Sequence, residues 1–322
     1  MFQVTKLLLN NTRIRITSVS NSKATLCHLS QRCVVRVQGT ESSEFLQGLM
    51  TNDMTHLDES EDSPGSKSIF AMFLNTQGRV MFDSFIAKAD PETYLIDCDK
   101  DLSDKLVKHL KMYKVRRKLN IAKDDNLQVF ADLTQDSKSP STREGCFSYN
   151  DTRVKELGFR MIQSAGNLKE TSQEIEHKKL RYKLGVCEGG QEIPFGKVTP
   201  LEYNLVYNHG VSFHKGCYLG QELTARTHHT GVIRKRIMPL EFSRNLTENS
   251  EYLESKILNE NGKNVGIVRG IASELGLGLC RIEECLKAEK LQLEANPEVQ
   301  IKVKVPDWWP PTAPKTPQNR KE

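Results

Sequence analysis

The chain has 322 residues, 37% of them hydrophobic and 27% charged, with a formal net charge of +5. That length exceeds one ordinary core and predicts roughly two or three domains, and no apolar run approaches the ~20 residues of a membrane-spanning helix. The eight cysteines include no CxxC pair, which argues for free thiols in a reducing compartment and against a zinc ribbon, a ferredoxin-type cluster site or a disulfide framework.

Residues 1–40 contain no Asp or Glu, yet carry Lys6, Arg13, Arg15, Lys23, Arg32 and Arg36 among many Ser and Thr. An acid-free, Arg- and Ser-bearing start reads as a mitochondrial transit peptide, assigned to residues 1–25; a merely disordered terminus is the alternative. Cleavage near residues 23–25 would remove four cations, and 5 − 4 leaves +1. A nearly neutral mature protein makes no electrostatic case for DNA, and a weak one for RNA through Arg234-Lys235-Arg236.

Residues 34–37 read as a strand. Gly39-Thr40 then offers a turn and an N-cap, and Glu41 and Glu44 occupy the first turn of a helix whose inner face is Phe45, Leu46 and Leu49. The stretch 58–68 is acidic and rich in Ser, Pro and Gly, as an exposed loop would be. Residues 69–74, 79–86 and 93–97 read as consecutive strands, with Asn75-Thr76-Gln77-Gly78 as the first hairpin turn. Arg79 and Asp83 lie four apart and are expected to share one face of a strand, as a surface ion pair or as the polar wall of a pocket. Residues 101–117 show the spacing of an amphipathic helix, with Leu102, Leu106, Leu110 and Tyr113 inward and a basic C-terminal end.

A strand at 127–133 opens a second unit, followed by a polar loop at 135–145. Residues 171–184 carry many charges and few apolar groups, and read as an exposed helix ending at Gly185. A turn-rich crossing occupies 185–194. Beyond Arg236 the candidates become short strands at 237–242, 255–258, 264–269, 277–282 and 299–305, with Asn261-Gly262 as a hairpin turn. These describe a small antiparallel barrel. The segment 306–322 holds five prolines and reads as an extended tail, with Trp308-Trp309 expected to pack back on the body.

The chain is organised around Lys215-Gly216-Cys217-Tyr218-Leu219-Gly220-Gln221-Glu222. One thiol lies between glycines, with Lys215 before it and Glu222 after it. Helix-favouring residues start at Gln221, so Cys217 is expected on a turn feeding a helix N-terminus, where the dipole and Lys215 would favour a thiolate. The alternative is a small buried hydrophobe, the commoner fate of a free cysteine.

These residues, with the continuation Leu223-Thr224-Ala225-Arg226-Thr227-His228-His229-x-Gly231-Val232-Ile233-Arg234-Lys235-Arg236, resemble the motif of the YgfZ-type, folate-binding relatives of the glycine-cleavage aminomethyltransferase (T-protein), and within them the mitochondrial branch of iron–sulfur assembly factors. Further matching phrases are Phe45-Leu46-Gln47-Gly48-Leu49-x-Thr51-Asn52-Asp53, Gly78-Arg79-Val80-x-Phe82-Asp83, Asp151-x-Arg153 and Leu157-Gly158-x-Arg160. The resemblance implies an α+β fold: two related T-protein-like units, 26–125 and 126–236, around a central funnel, then a C-terminal antiparallel β-barrel at 237–305. It implies a mitochondrial matrix factor acting late in 4Fe–4S protein maturation, with A-type iron–sulfur carriers and client proteins as partners. Tetrahydrofolate is the implied cofactor. A carboxylate from Glu222, Glu202 or Asp53 would meet the pterin edge, and Arg79, Arg226 or Lys215 the anionic tail, with Asp83 and Gln221 in the same pocket. The basic end of the 101–117 helix is a further candidate for that tail.

The Gly-Tyr-Thr-Gly-Glu phrase of true aminomethyltransferases is missing, which speaks against a glycine-cleavage reaction. Two readings stand: a folate-dependent one-carbon or aminomethyl-type transferase using Cys217, and a binding factor whose Cys217 ligates a transient cluster shared with a partner.

Overall fold

The computed structural model describes residues 26–58, 68–133, 146–166, 171–247 and 251–313. The expected leader at 1–25, nearly all of the two expected loops and the end of the tail lie outside the described residues.

The first half runs β1 (Leu26–His28), β2 (Arg32–Gln38), α1 (Ser42–Gln47), a 3-10 turn at Met54–Leu57, β3 (Ser68–Leu74), β4 (Val80–Asp90), β5 (Thr93–Asp99), α2 (Ser103–Lys114) and β6 (Asn120–Lys123). Then come β7 (Leu127–Asp132), β8 (Cys146–Asn150), β9 (Phe159–Ser164), α3 (Glu174–Leu184), the single turn α4 (Gly189–Glu192), a 3-10 turn at Pro200–Tyr203 and α5 (Gln221–Thr230). The chain closes with β10 (Lys235–Leu246), β11 (Lys256–Asn259), β12 (Asn264–Arg281), α6 (Ile282–Lys287), β13 (Leu291–Leu293) and β14 (Ile301–Val303).

Three antiparallel sheets result, in the orders β3-β4-β5-β2-β6, β1-β7-β9-β8 and β13-β11-β12-β10-β14. The first is buried on both faces. Along β3, Ile69, Ala71 and Phe73 join the core beneath α1 and α2, while Phe70, Met72 and Leu74 join a second core. That second core also takes Val129, Tyr149 and Ile162 from the β7–β9 sheet, and Ile237, Leu277 and Leu279 from the third. A strand feeding two cores has no polar face, which is why 69–74 reads as an unbroken apolar run. The third sheet wraps its own core of Leu240, Ile257, Val268 and Trp309, and a bridge between Gln292 and Gln300 nearly closes it into a barrel.

Several expectations need correction. The first unit was expected to start at residue 26, but Leu26–His28 pairs with β7 and extends the second sheet. The first helix has Glu41 at its N-cap, not Thr40; the carboxylates of Glu41 and Glu44 are both held by Arg117. Residues 264–269 and 277–282 are not separate strands but the two ends of β12, which bends at Ser273, a residue at φ 64°. Arg79 and Asp83 do not pair. The β3–β4 register slips at Met81, and one extra residue reverses the alternation of faces. Arg79 is left half-buried and Asp83 fully buried.

The helix α3 is not exposed. It buries His177, Arg181 and Tyr182, and its burial is made tolerable by Glu192, whose carboxylate accepts from Arg181 at 2.7 and 2.9 Å and from the Tyr182 hydroxyl at 2.9 Å. A charged sequence therefore hides an inward face. Trp309 does pack back, its ring tilted at 56° to that of Tyr207, and the Trp308 indole donates to the Leu184 carbonyl at 2.7 Å.

Where the first two sheets meet, three arginines and four carboxylates are buried together. Asp97 accepts from Arg32 Nε at 2.6 Å, Arg160 Nη1 at 2.7 Å and the Tyr149 hydroxyl at 3.0 Å. Arg32 also reaches Asp83 at 3.0 Å, Arg153 holds Asp151 at 2.7 Å and Glu188 at 2.8 Å, and Arg160 bonds Glu188 and Asp151. Breaking a buried ion pair leaves an uncompensated charge, so Asp97→Leu should lower unfolding stability by about 3–5 kcal/mol in denaturant titration. Nearby, burial pulls His177 down to about 3, and its Nε2 has no partner among the described residues. Unfolded histidine takes up a proton near 6.5, so this contribution is complete above about pH 6.5 and is lost as the pH falls towards 3. His177→Phe should reduce the stability lost between pH 7 and pH 4.5 by about 2 kcal/mol, read from urea unfolding at each pH; an unchanged pH slope would refute this.

Candidate functional site

The loop from Val211 to Gly220 enters α5 and is strapped to the end of α1. Ser212 N donates to the Thr51 carbonyl at 3.0 Å and Leu219 N to the Gly48 carbonyl at 3.0 Å. Thr51 Oγ1 donates to the Gly210 carbonyl at 2.6 Å, and the Asn52 amide to the His209 carbonyl at 2.8 Å. Lys215 is the strongest strap: its Nζ donates to the carbonyls of Gln47, Met50 and Asn52 at 2.6, 2.9 and 2.6 Å. Tyr218 anchors the loop in the shared core. The phrase at 45–53 and the cysteine phrase thus form one structural unit.

A pair of glycines fixes the other side. Gly220 sits at φ 77°, and a Cβ there would lie 2.3 Å from the Asn75 carbonyl oxygen; Gly78, at φ 75°, would place one 2.9 Å from the Gly220 carbonyl. The β3–β4 hairpin and the cysteine loop touch backbone to backbone at a point where no side chain fits. Gly216 has no atom within 4 Å of such a Cβ and lies outside the positive-φ region, so its expected conformational role is not used.

Cys217 is exposed at the crest of this loop, whereas five of the eight cysteines are buried and Cys33 and Cys146 are half-buried. It borders two cavities. One, of about 500 Å³, is walled by Gly48, Leu49, Thr76, Tyr113, Tyr218 and Leu219. The other, of about 240 Å³, is walled by Ser212, Phe213, Lys215, Gln221, Ala225 and His229.

The structure brings together only some of the expected site residues. Cys217, Lys215 and Gln221 share the smaller cavity. Lys215 does not serve the thiol as a donor, because an ammonium has three hydrogens and three backbone carbonyls take them. Burial lowers this lysine to about 8, against the pull of Asp53. Gln221 accepts from Tyr218 N at 3.2 Å and stiffens the turn. The helix begins at Gln221 with Gly220 as N-cap, so Cys217 precedes its first turn, the region where a helix dipole acts. Burial works to raise the Asp53 carboxyl, but hydrogen bonds from Gln47 and from the Thr55 amide and hydroxyl hold it below the usual range; it is a cap for the 3-10 turn. Glu222 and Arg226 face solvent and approach only each other, at 3.9 Å. Glu202 accepts from the Thr199 hydroxyl at 2.9 Å. Asp83 accepts from Gly189 N at 3.1 Å within the buried charge network, and burial raises its carboxyl.

Sequence reasoning missed a ring cluster beside the thiol. Phe213 stacks on His228 with ring centres 3.9 Å apart and 11° between planes, and His229 stands edge-on to both. Burial, with His229 next to it, lowers His228. Adjacent histidines closing the helix after a cysteine motif were the available signal.

A pterin edge needs a carboxylate. Neither cavity beside Cys217 has one in its wall, and the carboxylates of Glu222, Glu202 and Asp53 are engaged or exposed elsewhere. The residues around Cys217 therefore do not fit a folate. Nor is any group of three or more His, Cys, Asp and Glu among the described residues placed to hold a metal ion.

The architecture defines a class. Its described fold is similar to the glycine cleavage system aminomethyltransferase T of Bartonella henselae, with a TM-score of 0.66 over 88% of this chain and 86% of that one, at 15% identity. Residues 234–311 match the family described as CAF17, C-terminal beta-barrel domain. Within that class the sequence is 33% identical to the human mitochondrial iron–sulfur cluster assembly factor IBA57 over 88% of this chain and 84% of the relative, and 35% identical to that of Mus musculus over 90% and 86%. A homolog in Dictyostelium discoideum is 30% identical over 76% and 69%. The chain belongs to the IBA57 family.

The glycine contact gives a contrast that can be measured. Gly220→Ala and Gly78→Ala should each cost about 2 kcal/mol or more in urea unfolding and speed maleimide labelling of Cys217, while Gly216→Ala should stay within about 0.5 kcal/mol of wild type. Equal effects at all three positions would contradict the backbone-contact account.

Proposed function

We propose that this chain is a mitochondrial matrix factor for late iron–sulfur cluster assembly, supporting maturation of 4Fe–4S proteins, and that Cys217 supplies one thiolate ligand to a cluster shared with an A-type carrier or a client. One observation carries the assignment of the residue: of eight cysteines, Cys217 alone is exposed, and its loop is fixed by straps on both sides. The names of the relatives, mitochondrial iron–sulfur cluster assembly factors, support the process.

The cluster is cargo in this reading. Iron in such clusters takes four ligands, commonly thiolates. A loop with a single thiol offers one, so the others come from the partner and the complex is the site. Cys217 loses its proton to solvent on ligation. Lys215 keeps the loop in place, and Gln221 holds the turn beside the sulfur.

The alternative, a folate-dependent one-carbon or aminomethyl-type transferase, draws on the fold alone, and the walls beside Cys217 offer no carboxylate for a pterin. Cluster reconstitution with an A-type carrier separates the two. Wild type should develop iron–sulfur visible absorbance in the mixed complex, Cys217→Ser should lose most of it, and added tetrahydrofolate should change neither result. A Cys217→Ser complex with full absorbance, or tight folate binding abolished by that substitution, would sink the proposal.

A further inference from the structure

Cys33 and Cys98 are 65 residues apart in the chain, and their sulfurs lie 3.8 Å apart in the fold. They stand directly opposite each other on β2 and β5, neighbouring antiparallel strands of the first sheet. At the two ends of that unbroken register, Lys100 N donates to the Gln31 carbonyl at 2.8 Å and Gly39 N to the Glu92 carbonyl at 3.0 Å. Stepping two residues at a time from either end makes Cys33 and Cys98 a hydrogen-bonded pair, whose Cα atoms lie about 5.5 Å apart. A disulfide spans Cα separations of about 4.4–6.8 Å. The sulfurs therefore reach bonding distance by turning their side chains, with the strands left where they are.

The two thiols are not equivalent. Cys98 is buried and Cys33 half-buried. Contact with Cys98 lowers Cys33, and the Ser103 hydroxyl and the Arg32 guanidinium add to this against the effect of burial. The same contact is the largest cause that holds Cys98 protonated, with burial next, while Arg32 works the other way. An attacking sulfur is a thiolate that solvent can reach, so Cys33 reacts first. Once Cys33 is bonded elsewhere, the largest cause that keeps Cys98 a thiol is gone.

Other thiols lack one or the other half of this arrangement. Cys280 and Cys285 also touch, but both are buried and neither offers an entry point. Cys217 is exposed, but no second thiol stands in the wall of either cavity beside it. A reachable thiol of lowered pKa, backed by a second thiol within reach, converts a covalent adduct into a disulfide.

We propose that Cys33 and Cys98 form a reversible redox site whose oxidant is a low-molecular-weight disulfide of the glutathione type. The Cys33 thiolate attacks one sulfur of that disulfide. The small S–S bond breaks, a mixed disulfide forms on Cys33, and the departing thiolate takes a proton from solvent. Cys98 then gives up its proton to solvent, attacks the Cys33 sulfur and expels the second small thiolate, which is protonated in turn. Two protein thiols are oxidised, and one small disulfide is reduced to two thiols. The new bond lies between the opposed pairs Arg32–Asp99 and Val34–Asp97, next to the Arg32–Asp97 ion pair at 2.6 Å. A cross-link between residues far apart in the chain constrains the unfolded state, so the oxidised chain resists unfolding more than the reduced one. Neither Cys217 nor a partner protein takes part.

Peptide mapping tests it: the full chain is reduced, incubated with glutathione disulfide, and its remaining thiols are alkylated. Wild type should yield a Cys33–Cys98 cross-link. Its urea midpoint should rise, and dithiothreitol should return it to the reduced value. Cys98→Ser should stop at a glutathione adduct on Cys33, and Cys33→Ser should lose the cross-link and leave Cys98 unmodified. Cys280 and Cys285 should stay reduced in the folded chain. The wild-type map decides the matter without any variant, should Cys98→Ser unfold. Cys33 and Cys98 recovered as free thiols while Cys217 carries an adduct would overturn the proposal, as would a glutathione adduct that persists on Cys33 of wild type. The two proposals fail separately: full cluster absorbance in Cys217→Ser defeats the shared ligand, whereas an unlinked Cys33 and Cys98 defeat the redox site.

Discussion

Asp97 is the pivot on which the two open sheets turn. It sits on β5 of the first sheet and accepts hydrogen bonds from Arg32 of the same sheet and from Arg160 and Tyr149 of the other. Carboxylates and guanidiniums are costly to dehydrate, and their attraction repays that cost only with good geometry and full hydrogen bonding. The network meets that condition by sharing: Asp97, Asp151 and Glu188 each serve two arginines. A sliding apolar interface would tolerate several registers. A forked set of charge-assisted bonds tolerates one, and it fixes the angle between the sheets.

The charge count of this interior is not even. Arg32, Arg153 and Arg160 give +3 against Asp83, Asp97, Asp151 and Glu188 at −4, so full ionisation leaves −1. Asp83 is where a proton best relieves that excess: burial raises its carboxyl, and Glu188 and Asp99 push the same way against Arg32. By contrast, Asp151 and Glu188 are each flanked by two arginines and held low in spite of burial. The same rigid centre carries β3 and β4, whose hairpin meets Gly220. The placement of an exposed sulfur is thus traceable to an interior it never touches.

Much of this was legible in the sequence, and the failures share a cause. Strands with an alternating or fully apolar pattern, such as 69–74 and 237–242, could be read because water exclusion writes that pattern. The strand β9 could not, and the helix α3 was read as a helix but not as a buried one, because Arg160 and Arg181 point inward and break the hydrophobic period. Their burial depends on partners outside their own elements, Asp97 for Arg160 and Glu192 for Arg181. The single bent strand β12 was read as two because Gly270, Ser273 and Gly276 interrupt its apolar pattern. At the site, glycines around Cys217 announced a special loop, but the role of Lys215 was hidden: backbone carbonyls have no letter in the sequence. The carboxylates chosen for a pterin were chemically apt, but none of them is in the wall of either cavity beside Cys217.

The burial of five of the other seven thiols sets off the exposed one. Iron binds thiolate, so a sulfur that stays protonated cannot compete for it. Burial raises Cys187, with Glu192 and Asp83 adding to the effect. Cys98 is raised by its contact with Cys33 and by burial, and Cys280 by its contact with Cys285 and by burial. These sulfurs are closed off by packing and held as thiols. Five of the other seven cysteines are buried and two half-buried, so the loop strapped to α1 and to the β3–β4 hairpin presents the one exposed sulfur of the chain.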